Sequence, residues 1–353
     1  MPYFSPHSPI IQRAFQHIPA TLGLHEALAG QHLLLTGGTG FFGQWLLALL
    51  HQLNLQGAGV NVTVLSRNPA RFLDVQPRYR DCSWLHWLSG NIRDVMAIPG
   101  RPLNLIIHAA TDTSASAHDR PLDLFDTIVM GARRVLDLAV QHKARVLLIG
   151  SGAQYGVLSG ASAQDTGVSE TYTGACISNS SCNAYGEGKR AQETLGAIYA
   201  KCHCIDVIMT RCFAFSGPGL PLDGHFAIGN FVRDALCADE ILITSSGAAV
   251  RSYLHGADLA VWLLTLLVRG EGGVAYNVGS DQAISIADLA RRVIARVAPG
   301  KTVRIMGRSD DDSGRSFYVP DISRARGLGL DVWTPLDESI DSMVYWAKNS
   351  RYF

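Results

Sequence analysis

Short, continuous apolar runs alternate along the chain with longer stretches of helical periodicity. His32 to Leu35 is the first apolar run; a glycine-rich turn and a helical pattern from Gly43 to Leu53 follow it. Val60 to Leu65, Leu103 to His108, Arg145 to Ile149 and Ile205 to Arg211 read as strands. Leu124 to His142 and Tyr185 to Cys202 read as helices. Uninterrupted apolar strands separated by helices are buried on both faces, which predicts a parallel sheet covered on each side. The expected fold class is therefore α/β, a doubly wound parallel sheet.

The pattern weakens at both ends. In residues 1–30, Ile10, Ile11, Ala14, Phe15 and Ile18 share one helical face, which predicts a helical extension packed on the main domain. Residues 31–212 are expected to form the nucleotide-binding unit. From Phe213, the sequence Ser216-Gly217-Pro218-Gly219 and then Pro221 breaks the alternation, so residues 213–353 are expected to be mainly a smaller, substrate-covering region with some segments returning to the core. Ser159 to Asn183 is rich in Ser, Gly and Thr and reads as a long loop, a length usually associated with function or mobility.

Composition narrows the function classes. The 353 residues carry 30 Lys+Arg against 30 Asp+Glu, which argues against a globally basic nucleic-acid binder. No apolar run approaches the roughly 18 residues of a membrane span. Met1 to Gln16 lacks the unbroken apolar stretch of an export signal, so a cytoplasmic chain with no membrane partner is expected. The seven cysteines are scattered, which suits reduced thiols better than a disulfide framework. Cys202-His203-Cys204 looks like a metal fragment but has no second ligand pair at zinc-finger spacing, so no metal site is expected; if the segment alternates along a strand, both thiols face the core.

The turn after the first strand reads Thr36-Gly37-Gly38-Thr39-Gly40-Phe41-Phe42-Gly43. Glycines let the backbone turn tightly and approach a pyrophosphate, whose charge is met by the amides of the helix start. Strand, turn and helix occur in the required order, which makes Gly37, Thr39, Gly40, Phe41, Phe42 and Gly43 a dinucleotide cradle. An acidic residue at the end of the second strand would bind the adenosine ribose. Instead the chain has Ser66-Arg67-Asn68-Pro69, with Arg71 one turn on. An arginine there can hold a 2′-phosphate bidentately and Ser66 can donate to it, favouring NADP(H); arginine stacking on adenine would also serve NAD(H).

Tyr185 and Lys189 stand at i and i+4, one helical turn apart on one face. A free phenol titrates near pH ~10, and a neighbouring ammonium favours its ionised form. Such a pair can take a proton from a sugar hydroxyl as hydride leaves, or return one to a carbonyl. Ser151 follows the strand Arg145 to Ile149, at the carboxyl end where ligands bind in open α/β sheets, and is placed to orient the reacting oxygen. The same serine in isolation would commonly cap a helix.

With these motifs in order, the sequence resembles the extended short-chain dehydrogenase/reductase family, in its NAD(P)-dependent nucleotide-sugar epimerase/dehydratase branch with a Rossmann-type sheet. The likeness runs from about Gln31 to the C-terminus. It also takes in Gly90 to Asp94, Ile107-His108-Ala109-Ala110, Arg211 to Pro218, Arg251 to His255 with Asp258, and Tyr276 to Ser280. The resemblance implies that Asn91 and Ile92 flank the adenine, that Ala109 and Ala110 line the cofactor, and that Phe213 lies near the nicotinamide. It implies Asn230 and Arg251, and more weakly Arg315, as contacts for the substrate diphosphate. It further implies a nucleotide-diphosphate sugar as substrate and a homodimer.

Departures from the family pattern restrict the chemistry. The 4,6-dehydratases carry Asp-Glu directly after the Ser/Thr, and the decarboxylases use a glutamate at the same place; this chain has Gly152 and Ala153. Ala214 and Ile128 replace asparagines frequent in the family. What remains is hydride transfer at sugar carbon 4, as a 4-epimerase or a 4-ketoreductase. A dehydratase or decarboxylase with a non-standard acid/base, and a non-catalytic dinucleotide sensor of the same fold, are the alternatives. His225, in the Gly-Pro-rich loop expected to cover the sugar, and Cys182 and His118 are further candidates for proton transfer beside a carbonyl.

Overall fold

The computed structural model describes residues 4–112, 114–158, 167–307 and 317–349. Its centre is a seven-stranded, all-parallel sheet. The strands are β1 (His32–Thr36), β2 (Asn61–Ser66), β3 (Leu85–Ser89), β4 (Leu105–His108), β5 (Arg145–Ile149), β6 (Val207–Cys212) and β7 (Ala275–Val278). Their spatial order is β7-β6-β5-β4-β1-β2-β3. The order reverses beside β1, where Leu34 pairs with Thr63 of β2 on one side and Ile106 of β4 on the other. Helices cover both faces, as continuous apolar strands require.

On one face, α1 (Phe41–Leu55) packs beside Gly256–Arg269, and Trp45, Leu46, Leu263 and Leu266 join Leu33 and Leu35 in the core. On the other face, α2 (Pro121–His142) and α3 (Ala184–His203) lie side by side, burying Val135, Leu136 and Tyr199 against Leu34, Ile106 and Val146. A separate core joins α4 (Ala227–Cys237), Ile286–Val297 and Leu336–Asn349 through Ile228, Val232, Leu289 and Met343.

Three details differ from the sequence reading. The N-terminal helix is short, Pro9–Arg13; Ile11 is buried and Phe4 packs edge-on to Trp45 at 4.9 Å. Strand β3 was not anticipated, because only Leu85 of its five residues is buried and an edge strand shows no continuous apolar run. Cys202 and His203 end α3 and Cys204 caps it in the left-handed conformation (φ 52°), so both thiols are exposed rather than alternating along a strand. Among the described residues, no group of three or more His, Cys, Asp or Glu is arranged to hold a metal, and no helix is long and apolar enough to cross a membrane.

Candidate active site

The glycine turn sits at the β1–α1 junction, each glycine under a different constraint. Gly37 has φ 73°, and a Cβ there would lie 2.4 Å from the carbonyl oxygen of Ala109, so neither the conformation nor the space admits a side chain. At Gly43 a Cβ would lie 2.3 Å from the Cα of Gly38; this contact sets how closely α1 approaches the turn. Gly40 caps α1 in an extended conformation (φ −83°, ψ −178°), and a Cβ there would meet nothing nearer than 3.5 Å. At Gly40, the exposed residue of the turn, the surface is therefore backbone alone, beside the helix-start amides that have no intrahelical acceptor. That geometry fits a dinucleotide pyrophosphate.

The neighbouring strand end is tied to this turn. The hydroxyl of Thr36 accepts from the amides of Ala109 (3.1 Å) and Ala110 (3.2 Å). Its single proton is then available to Nδ1 of His108 at 2.9 Å, which places the imidazole proton on Nε2. Burial, and secondarily the charge of Lys189, push His108 down to about 3, so it is a neutral structural group. Ile92 is buried, its side chain 3.0 Å from where Gly131 of α2 would carry a Cβ; Asn91 turns the chain by accepting from the Arg93 amide.

At the end of β2, the Ser66 hydroxyl accepts from the amide of Asn68 (3.3 Å), and Asn68 in turn caps Pro69–Val75. Arg67 is exposed, its guanidinium 3.8 Å from the Asp112 carboxylate. Such an exposed pair contributes little stability and leaves the cation available.

The catalytic candidates stand in the turn just after β5 and on α3. Ser151 is buried, and its hydroxyl accepts from the Ala153 amide (3.1 Å), capping the turn Gly152–Tyr155. The start of α3 packs directly on this turn: a Cβ at Gly186 would lie 3.1 Å from the carbonyl oxygen of Ala153 and 2.6 Å from Sγ of Cys176. Half-buried Tyr185 thus stands beside the serine turn. One helical turn on, Lys189 is 2% exposed; Nζ donates to the Ile149 carbonyl (2.7 Å), the Thr111 hydroxyl (2.9 Å) and Gln192 (3.3 Å). Burial pushes this lysine down to about 7, while the three oxygens around Nζ suit the ammonium.

Behind the turn, the Arg211 guanidinium is paired with Glu193 at 2.6 Å and donates to the Tyr155 hydroxyl (2.8 Å), which donates to Asn277 of β7 (2.8 Å). This network holds the serine turn to β6 and β7. Sequence reasoning placed Arg211 and Asn277 in motifs, but the link to Glu193 and Tyr155 appears only when strands distant in sequence pair.

The remaining candidates divide. Phe213 is buried against the serine turn, with its ring 3.0 Å from the Cβ position of Gly152. The Tyr318 hydroxyl lies 2.8 Å from that same position, its ring 4.6 Å from Phe213 and 5.9 Å below the guanidinium of Arg251. Arg251 is thereby brought near the serine turn through Tyr318, a residue the sequence reading did not single out. Asn230 on α4 donates to the Gly224 carbonyl (2.9 Å) and keeps a buried carbonyl oxygen with no hydrogen-bond partner. The rings of His118 and Tyr185 lie 5.7 Å apart, and His225 lies 6.3 Å from His118. Cys182 is exposed in the turn Ser181–Asn183 just before α3. Arg315 lies outside the described residues.

Comparison with known proteins agrees with this architecture. Residues 33–279 match the model of the NAD dependent epimerase/dehydratase family. UDP-glucuronic acid decarboxylase 1 of Xenopus tropicalis is 27% identical over 326 residues, covering 90% of this chain and 72% of the relative. The structure of dTDP-glucose 4,6-dehydratase from Bacillus anthracis in complex with NAD superposes with a TM-score of 0.76 at 19% identity, covering 92% of this chain and 98% of the other. UDP-glucose 4-epimerase of Thermotoga maritima, solved with UDP-glucose, gives 0.74 at 18% identity over 90% and 99%. The chain belongs to the NAD-dependent epimerase/dehydratase family, an extended short-chain dehydrogenase/reductase.

Proposed function

We propose that this enzyme transfers hydride at carbon 4 of a nucleotide-diphosphate sugar, as a 4-epimerase or a 4-ketoreductase. The observation that carries this reading is the turn after Ser151, where Gly152 and Ala153 offer no carboxyl group and the Tyr318 hydroxyl and Phe213 ring lie against Gly152, so that a side chain there would have to displace them. Elimination of water needs a proton donor for the departing hydroxyl. Decarboxylation, suggested by the name of the Xenopus relative, would likewise need its acid/base from elsewhere in the site.

Each residue has a stated task. Ser151 and Tyr185 hydrogen-bond the oxygen on carbon 4 and hold it for reaction. Tyr185 takes the hydroxyl proton as hydride leaves the carbon, or gives one back to the ketone. Lys189, one turn away on α3, biases the phenol toward its ionised form through its charge. The bound nicotinamide dinucleotide supplies the hydride acceptor and donor. Gly37, Thr39, Gly40, Phe41, Phe42 and Gly43 would hold its pyrophosphate, Asn91 and Ile92 its adenine, and Ala109, Ala110 and Phe213 the nicotinamide half. Arg67 and Ser66 favour NADP(H) over NAD(H), because an exposed guanidinium with only a 3.8 Å carboxylate neighbour is free to meet a 2′-phosphate. Arg251, Asn230 and His225 would face the substrate, and Arg315, outside the described residues, is a candidate by the family resemblance alone.

We propose a homodimer paired through α2 and α3, helices on which Leu122 (81%), Met130 (46%) and Ile198 (49%) are exposed apolar side chains. A homodimer would give twice the chain mass by light scattering, and Leu122→Glu with Ile198→Glu would shift it to monomer; an unchanged monomer in the parent would exclude pairing.

The function is tested by incubating the protein with a panel of nucleotide sugars, with and without NADPH, and resolving products by mass and stereochemistry. An isomer formed without added cofactor identifies the epimerase; a gain of two hydrogens with NADPH consumed identifies the reductase. Loss of water or of carbon dioxide would contradict the proposal.

A further inference from the structure

Three segments far apart in sequence bring aromatic rings together beside Tyr185. His118 ends the helical turn Ala115–His118, between β4 and α2, and its ring is tilted at 59° to that of Tyr185 with centroids 5.7 Å apart. His225 comes from the loop before α4 and meets His118 edge-on at 6.3 Å, while its ring lies tilted at 33° against Phe226 at 4.4 Å. Both imidazoles are exposed, so a bound sugar can reach them. Burial, and then the neighbouring His118, hold the pKa of His225 below the ordinary histidine value, which keeps it neutral at neutral pH.

We infer that His118, with His225 beside it, is a second acid–base group of this site, which removes the proton from a sugar carbon flanking a 4-ketone. The inference rests on the proposed function, because the ketone arises from hydride removal at carbon 4. Tyr185, having taken the hydroxyl proton in that step, is then a neutral phenol next to the carbonyl oxygen. The C–H bond of the flanking carbon breaks and its proton passes to an imidazole nitrogen of His118. Its electron pair forms the carbon–carbon double bond, and the carbonyl π pair moves onto the oxygen, which takes the phenol proton. The reverse sequence restores the ketone, and return of hydride restores the sugar. No oxidant or reductant beyond the dinucleotide is consumed. Carbon 3 or 5 thereby becomes exchangeable, and its configuration can invert if the proton returns to the opposite face.

The test supplies a ready-made ketone, a dTDP-4-keto-6-deoxy sugar, to the full chain in D2O, so that exchange does not depend on prior hydride transfer. Mass spectrometry and proton NMR should show deuterium entering a carbon next to the carbonyl. His118→Ala should slow this at least hundredfold and free imidazole should restore part of it, whereas reduction of the same ketone by NADPH should fall less than tenfold. Exchange that is no faster than in buffer, or that persists in the His118→Ala/His225→Ala double variant, would overturn the inference. Absence of ketone reduction and of isomer formation with the nucleotide-sugar panel, with His118-dependent exchange retained, would instead overturn the hydride-transfer reading alone.

Discussion

Nζ of Lys189 donates a 2.7 Å hydrogen bond to the carbonyl of Ile149, the residue that ends β5 two positions before Ser151. One buried side chain thus ties the helix that carries Tyr185 to the end of the strand that leads into the serine turn. The cost of this tie is desolvation of an amine, which pushes Lys189 down to about 7 from an ordinary value near 10.5. Between these two values the unfolded chain binds more protons than the folded one, so this group makes stability rise as pH increases above 7, by up to about 1.4 kcal/mol per pH unit. Lys189→Met lacks that contribution. The parent's stability minus the variant's should therefore grow between pH 7 and pH 9 in urea titrations, and a difference independent of pH would show that the lysine is not desolvated.

The glycines of the first turn should respond differently from one another. Gly37→Ala forces a left-handed residue against the Ala109 carbonyl, and overpacking of this kind typically costs about 1–3 kcal/mol before any strain in φ is added. Gly40→Ala meets no such neighbour and should leave the melting temperature within about a degree, yet weaken dinucleotide binding by tenfold or more. Thermal melts paired with calorimetric titration separate the two; equal effects on stability would contradict the division of roles.

Gly152→Asp restores the carboxylic group of dehydratase relatives but drives it into Tyr318 and Phe213. It should lower both stability and turnover without producing any loss of water. Adding Tyr318→Ala should recover part of the stability. A single variant that folds as well as the parent would show that the space is not closed.

Arg67→Ala should raise the KM for NADPH about tenfold or more, the loss of one or two charge-assisted hydrogen bonds, and leave that for NADH nearly unchanged. Unchanged selectivity would mean that Arg67 remains with Asp112 when the cofactor binds.

Legibility in the sequence followed the range of the interaction. Burial on both faces wrote β1, β2, β4, β5 and β6 as apolar runs, and the strand–turn–helix order marked Gly37 to Gly43. β3 escaped because one edge strand with Trp87 and His86 part-exposed has no such run. The Lys189–Tyr185 spacing was visible because one helical turn is local. Its bonds to Thr111 and Ile149 were not, since pairing of β4 with β5 is needed to bring them within reach. Tyr318 carries no local signal at all; only the third dimension places its hydroxyl over Gly152. The Cys202-His203-Cys204 segment left two readings open, because strand alternation and helix termination look alike over three residues; the helix end is the one that forms.

The proton-transfer role of Tyr185 is tested most directly by Tyr185→Phe, measured as single-turnover hydride transfer with the best nucleotide sugar of the panel. Removing a positioned acid–base group costs typically 10²–10⁴ in rate, so turnover should fall by about 10³ while the dinucleotide dissociation constant changes less than threefold. A phenylalanine variant that transfers hydride within threefold of the parent would contradict the account.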